Sequence, residues 1–104
     1  MKKNNYEIKY ISSYIEDLTR ILNYIMYNLE NKNATERLLD NINKAIIERS
    51  LSPESYEKYN QSKNSNYTWY RIYVENYTIF YTVEGNTMEI VRILSSRRDF
   101  DKIF

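Results

Sequence analysis

The chain has 104 residues and a formal net charge of +1, which does not by itself indicate a nucleic-acid or membrane-surface binder. It contains neither cysteine nor histidine, which excludes disulfides, thiolate chemistry, a Ser-His-Asp arrangement and a zinc site. No apolar run approaches the about 20 residues of a membrane span, and the basic residues 1–5 do not lead into the apolar core of a signal peptide.

These limits predict one domain over residues 1–104, located in the cytoplasm and not associated with a membrane. We expect no metal site and no cofactor. Residues 58–104 contain seven Lys or Arg against five Asp or Glu, and they include Arg71, Arg92, Arg97 and Arg98, whereas residues 7–57 contain six against nine.

The chain begins with a short strand and an amphipathic helix. Residues 6–11 alternate apolar and charged side chains, which is typical of a strand with one buried face. Ser13 and Glu16 have the spacing of a capping box, which predicts the start of a helix. One apolar stripe follows at helical spacing, formed by Leu18, Ile21, Leu22, Ile25 and Leu29.

A second helix is predicted after a short polar break. Asn33 followed by Glu36 is a start signal, and the helix ends near Ser50, before Pro53. Its apolar stripe consists of Leu38, Ile42, Ala45 and Ile46. The short connection predicts an αα-hairpin. Residues 51–66 are polar and are interpreted as a loop with at most a short turn.

Three further strands are predicted from runs rich in aromatic and β-branched residues, at 68–74, 77–83 and 88–94. Glu75 and Asn76 form a candidate two-residue turn, and Gly85 and Asn86 suit a tight hairpin turn with positive φ. The resulting order, β-α-α-β-β-β, predicts an α+β fold. A helical hairpin would pack on one face of a small, mainly antiparallel sheet.

Strict alternation in the last strand assigns apolar residues to both faces of the sheet. One face receives Glu89, Val91 and Ile93, and the other Met88, Ile90, Arg92 and Leu94. A sheet covered by helices on one side needs only one apolar face. Part of the second face therefore has to be covered, either by residues 100–104 of the chain or by a partner protein.

Several segments together resemble one family. They are Asp17-Leu18 and Tyr24-Ile25 in the first helix, Arg37-Leu38-Leu39-Asp40 and Ile46 in the second, Tyr-x-Ile-Phe-Tyr within residues 76–85, and Arg-Ile-Leu-x-x-Arg-Arg-Asp within residues 90–100. The chain resembles the RelE/ParE superfamily, the toxins of bacterial type II toxin–antitoxin modules, over almost its whole length. The resemblance implies a compact toxin neutralised by a cognate antitoxin protein, with no direct sequence-specific DNA binding by the toxin alone.

The superfamily implies two different targets. RelE-like members cleave mRNA on the ribosome, whereas ParE-like members inhibit DNA gyrase. RelE-like ribonucleases use basic residues on two strands, an arginine after the last strand and a C-terminal tyrosine. Arg71 and Arg98 match this set and would be the catalytic residues of a ribonuclease, but Tyr73, Thr78 and Phe104 depart from it.

These departures, with the absence of histidine, favour a ParE-like toxin that acts by binding to gyrase rather than as an enzyme. The alternatives are a ribosome-dependent mRNA endonuclease, with ribosome and mRNA as partners, and a degenerate, non-toxic regulatory module. Candidate contacts to the target or the antitoxin are Arg71, Tyr73, Arg92, Arg97, Arg98, Phe100 and Phe104.

Arg92, Arg97 and Arg98 also have a purely structural interpretation. Arg97 and Arg98 would be solvated and neutralised by nearby acidic residues. Arg92, a lone arginine on a strand, would pair with a local acid such as Glu75 or Glu89.

Overall fold

The computed structural model describes residues 6–59 and 67–97. Their elements in chain order are β1 (Glu7–Tyr10), α1 (Ser12–Asn23), a π-helical turn (Tyr24–Asn28), α2 (Lys32–Arg49), β2 (Lys58–Tyr59), β3 (Trp69–Val74), β4 (Tyr77–Glu84) and β5 (Thr87–Ser95). The predicted order of helices and strands is confirmed. The addition is β2, a two-residue strand inside the segment that we predicted as loop.

The strands form one sheet in the order β1-β5-β4-β3-β2. Among the strands of the described residues, only the β1–β5 pair is parallel, so the expected mainly antiparallel sheet is confirmed. Both predicted turns are present. Gly85 has a φ of 62° and Glu75 a φ of 53°, the left-handed conformation that tight hairpin turns require.

The main core lies between the helices and one face of the sheet. From α2 it receives Leu38, Ile42 and Ile46, as its apolar stripe predicted, and from the strands it receives Tyr70, Ile72, Val74, Ile79, Tyr81, Met88, Ile90 and Ile93. On α1, four members of the stripe pack against this core, namely Leu18, Ile21, Leu22 and Ile25. Burial of these side chains is the main force that holds the helices on the sheet.

The fifth member of the α1 stripe, Leu29, is exposed, so that part of the prediction is wrong. The cause is the π-helical turn, in which the N–H of Leu29 donates to the carbonyl of Tyr24, five residues earlier, at 3.2 Å. A π-turn contains more residues than an α-turn. The side chains that follow it are therefore rotated away from the stripe.

Both predicted helix starts also need correction. The hydroxyl of Ser13 does not cap α1, because it donates to the carbonyl of Val91 at 2.6 Å. At α2, the side chain of Asn31 accepts from the N–H of Ala34 at 3.0 Å and forms the cap. The second helix therefore begins before the predicted start at Asn33.

A β-bulge in β5 changes which residues face the helices. Tyr81 pairs with Ile90 and Phe80 pairs with Arg92, so Val91 has no opposite residue on β4. The extra residue reverses the alternation, and Ile93 lies in the same core as Ile90. The prediction that grouped Ile93 with Val91 and Glu89 is therefore wrong.

The face of the sheet opposite the helices carries a second apolar cluster. Tyr59, Phe80 and Leu94 are buried there, with Trp69 partly buried against them. Their burial is found within the single chain, so it requires no partner protein. Residues 100–104, which we named as one possible cover, lie outside the described residues.

Ile46 and Ile47 are neighbours on α2 with opposite environments, 0% and 59% exposed. Replacing Ile46 with alanine should lower the free energy of unfolding by about 2–5 kcal/mol, because it leaves a cavity against the sheet. The matched change Ile47→Ala should alter it by less than about 0.5 kcal/mol. Urea denaturation of both variants measures the difference, and equal losses would contradict this packing of α2.

Candidate functional site

The first helix protects an edge of the last strand. β1 pairs with β5 only as far as Ile90. Beyond that point, the hydroxyl of Ser13 donates to the carbonyl of Val91, and the N–H of Ile93 donates to Oδ2 of Asp17 at 3.2 Å. Side chains of α1 thus satisfy backbone groups that a neighbouring strand would otherwise pair.

The same carboxylate binds Arg92. Nε of Arg92 lies 2.7 Å from Oδ2 of Asp17, and Nη2 lies 3.1 Å from Oδ1, which is a bidentate ion pair. Asp17 is buried, and its hydrogen bonds raise the pKa of the Arg92 guanidinium, which therefore stays charged. The partner of Arg92 is Asp17, not the predicted Glu75 or Glu89.

Two predicted binding residues lie side by side on β3. Arg71 and Tyr73 are two residues apart on one face of the strand, and the guanidinium carbon of Arg71 lies 5.6 Å from the centre of the Tyr73 ring. The same carbon lies 4.3 Å from the centre of the Tyr59 ring. Both distances are within the range of cation–π contacts. Thr78, opposite Tyr73 on β4, is buried and hydrogen-bonded to Ser96.

A second arginine reaches this edge of the sheet from the end of α2. Nη1 of Arg49 donates to the carbonyl of Arg71 at 2.9 Å and to the hydroxyl of Tyr81 at 2.8 Å. Its guanidinium carbon lies 3.5 Å from the centre of the Tyr56 ring. The hydroxyl of Tyr81 donates in turn to the carbonyl of Pro53 at 2.8 Å. These contacts join the end of α2, the following segment and β3.

The two arginines open onto one cavity of about 170 Å³, which is lined by Arg49, Tyr56, Glu57, Arg71 and Tyr73. Burial raises the pKa of nearby Tyr81 to about 12, although its contact with Arg49 acts in the opposite direction. Tyr81 therefore keeps its proton at neutral pH. The chain has no histidine, the usual general base near pH 7. The cavity is equipped to bind an anion.

A larger cavity has the opposite charge. It has a volume of about 530 Å³ and is lined by Glu7, Ile8, Lys9, Glu84, Thr87 and Glu89. Its three glutamates make it unsuitable for an anion. Within residues 6–59 and 67–97, no group of three or more His, Cys, Asp or Glu side chains is placed to hold a metal ion. Nor is any helix of these ranges long and apolar enough to cross a membrane.

The remaining predicted contacts are at the end of the chain. Arg97 lies two residues after the end of β5, is exposed, and forms no ion pair with another described residue. Arg98, Phe100 and Phe104 lie outside the described residues. Their roles, and that of Arg92 in binding a partner, stay predictions.

The sequence reasoning missed Arg49 and Tyr56. Arg49 occupies the last turn of α2, where a basic residue is expected to interact with the helix dipole. Tyr56 lies in a polar segment that lacks periodicity. The sequence shows a basic residue at the end of a helix, followed by aromatic residues. This pattern indicates a binding site only once α2 is known to lie beside β3.

The sequence matches the family model described as "ParE toxin of type II toxin-antitoxin system, parDE" over residues 8–100. The chain belongs to the ParE toxin family. A search of curated proteins finds no significant match.

Among solved structures, a chain from the "Chromosomal ParDE TA system from P. aeruginosa" is similar, with a TM-score of 0.71 and 14% sequence identity. The match covers 89% of this chain and 98% of that chain. At this identity, the similarity shows the fold. The predicted resemblance to RelE/ParE toxins, and to ParE-like members in particular, is thus confirmed. The predicted α+β fold is confirmed as well.

The Asp17–Arg92 pair should contribute to the stability of this ParE toxin. Asp17→Ala should lower the free energy of unfolding by roughly 2–3 kcal/mol, less than for a fully buried pair because Arg92 is partly exposed. Arg20 touches the same carboxylate at 3.5 Å but its side chain is 73% exposed. Arg20→Ala should therefore cost less than about 0.5 kcal/mol. Chemical denaturation compares the variants, and a loss for Asp17→Ala no larger than for Arg20→Ala would refute the role of the pair.

Proposed function

We propose that this ParE toxin arrests bacterial growth by binding and inhibiting DNA gyrase in the cytoplasm, and that a cognate antitoxin neutralises it. The observation that carries the proposal is the family match over residues 8–100. Gyrase inhibition is what the ParE-like side of the RelE/ParE resemblance implies. We also propose that residues 1–104 act as one domain.

The surroundings of Arg71 support binding rather than RNA cleavage. Cleavage needs a base that activates the 2′-hydroxyl and several cations around the phosphate. Arg71 retains one cation of the ribonuclease set and Arg49 lies beside it, but Tyr73 and Thr78 supply none at two positions where that set has cations. Thr78 is also buried and engaged by Ser96, so it is inaccessible to a substrate.

Exposed side chains beside the arginines form a candidate surface for binding the target. Tyr73 is 63% exposed and Tyr56 is 47% exposed, and both lie beside arginines. Tyrosine and arginine are enriched among the residues that dominate protein–protein binding energy. Arg97 adds an exposed positive charge after β5, and we propose that it contacts the target together with Arg98, Phe100 and Phe104.

The purified toxin should inhibit DNA supercoiling by gyrase. Arg97→Ala should weaken inhibition at least about fivefold, the effect of losing one energetically important interface contact. Lys44→Ala removes the same charge from an exposed position on α2 and should leave inhibition unchanged. A supercoiling assay over a range of toxin concentrations measures both variants.

Three results would contradict the proposal. Undiminished supercoiling at concentrations far above those that arrest growth would reject gyrase as the target. Codon-positioned cleavage of mRNA by the same preparation on translating ribosomes would support the ribonuclease alternative. If expression without an antitoxin causes no growth arrest, the chain is a non-toxic regulatory module.

A further inference from the structure

The cavity beside β3 contains more positive charge than its neighbours neutralise. Nη1 of Arg49 is hydrogen-bonded, but no described residue accepts from its Nε or Nη2. The guanidinium of Arg71 has ring contacts and no hydrogen bond to a described residue. Among the described residues, no carboxylate lies within the 4.0 Å ion-pair distance of either guanidinium, including Glu57 on the same cavity.

Aromatic rings hold both guanidinium groups in place. Tyr56 covers Arg49 at 3.5 Å, and Tyr59 contacts Arg71 at 4.3 Å. A guanidinium carries its N–H donors in its own plane, so a ring stacked on its face leaves those donors available. Side chains that are already ordered lose little conformational entropy when a ligand binds. The two arginines are therefore prearranged to receive a planar oxyanion.

Size and charge select one carboxylate over a nucleic acid. The cavity volume of about 170 Å³ is below the about 300–1,000 Å³ of pockets that enclose a drug-sized molecule. Its two arginines are partly offset by Glu57, and Glu54 is exposed nearby in sequence. A nucleic-acid strand needs an extended positive track for its phosphates. A single acidic side chain needs only the two adjacent guanidinium groups.

We propose that Arg49 and Arg71 bind the carboxylate of an Asp or Glu side chain presented by a protein partner, with the exposed rings of Tyr56 and Tyr73 packing against the neighbouring residues of that partner. This site is separate from the Asp17–Arg92 pair. The proposal concerns the chemistry of the cavity and holds whichever protein the toxin inhibits.

The test uses a blocked tripeptide, acetyl-Ala-Glu-Ala-amide, and the matched peptide with Gln in place of Glu. NMR titration of the full-length toxin follows the side-chain Nε–H signals of Arg49 and Arg71. The Glu peptide should give saturable shifts of both signals, and the Gln peptide should give none. Equal shifts with both peptides would overturn the proposal, because they would show that the carboxylate is not recognised.

Three charge variants sharpen the test. Arg71→Gln should weaken binding of the Glu peptide at least about tenfold, the size expected for a lost charge-assisted hydrogen bond. Lys58→Gln makes the same charge change at an exposed position on β2 and should alter affinity less than about twofold, since surface charges act weakly. Glu57→Gln removes the competing carboxylate and should tighten binding.

The backbone amide spectrum of each variant reports whether it is folded, and Glu57→Gln provides a gain of affinity that misfolding cannot mimic. Unchanged affinity in Arg71→Gln, or weaker affinity in Glu57→Gln, would overturn the proposal. In a last titration, a single-stranded RNA oligonucleotide replaces the peptide. If it shifts the same arginine signals at much lower concentration than the Glu peptide, the cavity binds phosphate and the proposed occupant is wrong.

Discussion

The carboxylate of Asp17 connects the first helix to the last strand at the point where α1 meets the edge of the sheet. β1 has only four residues and leaves the edge of β5 open after Ile90. Asp17 accepts from the backbone N–H of Ile93 and from the guanidinium of Arg92. One buried carboxylate therefore pairs with a backbone donor at the edge of β5 and with a positive charge. Without it, both donors would lose their acceptor at the point where α1 meets the sheet.

The order of elements could be predicted because strand and helix periodicities are local properties of the sequence. Three of the failures depend on contacts between distant residues, whereas the π-helical turn before Leu29 and the cap at Asn31 are local. Ser13 has the spacing of a helix cap, but Val91 uses its hydroxyl. The bulge at Val91 exchanges the faces of the residues that follow, and no local pattern marks it. Arg92 was assigned neighbours near in sequence, whereas its partner is Asp17, 75 residues away.

The candidate site was predictable only in part for the same reason. Arg71 and Tyr73 share a strand face, which alternation alone indicates. Arg49 joins them because the end of α2 lies beside β3, which requires the tertiary fold. The assembled cavity contains two cations, exposed aromatic rings and no histidine. Those groups are suited to holding a partner, which is the role that we propose for them.

The binding mechanism is tested most directly in cells that express the toxin without an antitoxin. Inhibition of gyrase should induce the DNA-damage response as growth stops, while translated mRNA remains full-length. Sequencing of RNA ends and a damage-response reporter, read at the same time points, measure both. Codon-positioned mRNA ends that appear before any damage response would contradict binding to gyrase and would restore a catalytic role for Arg71.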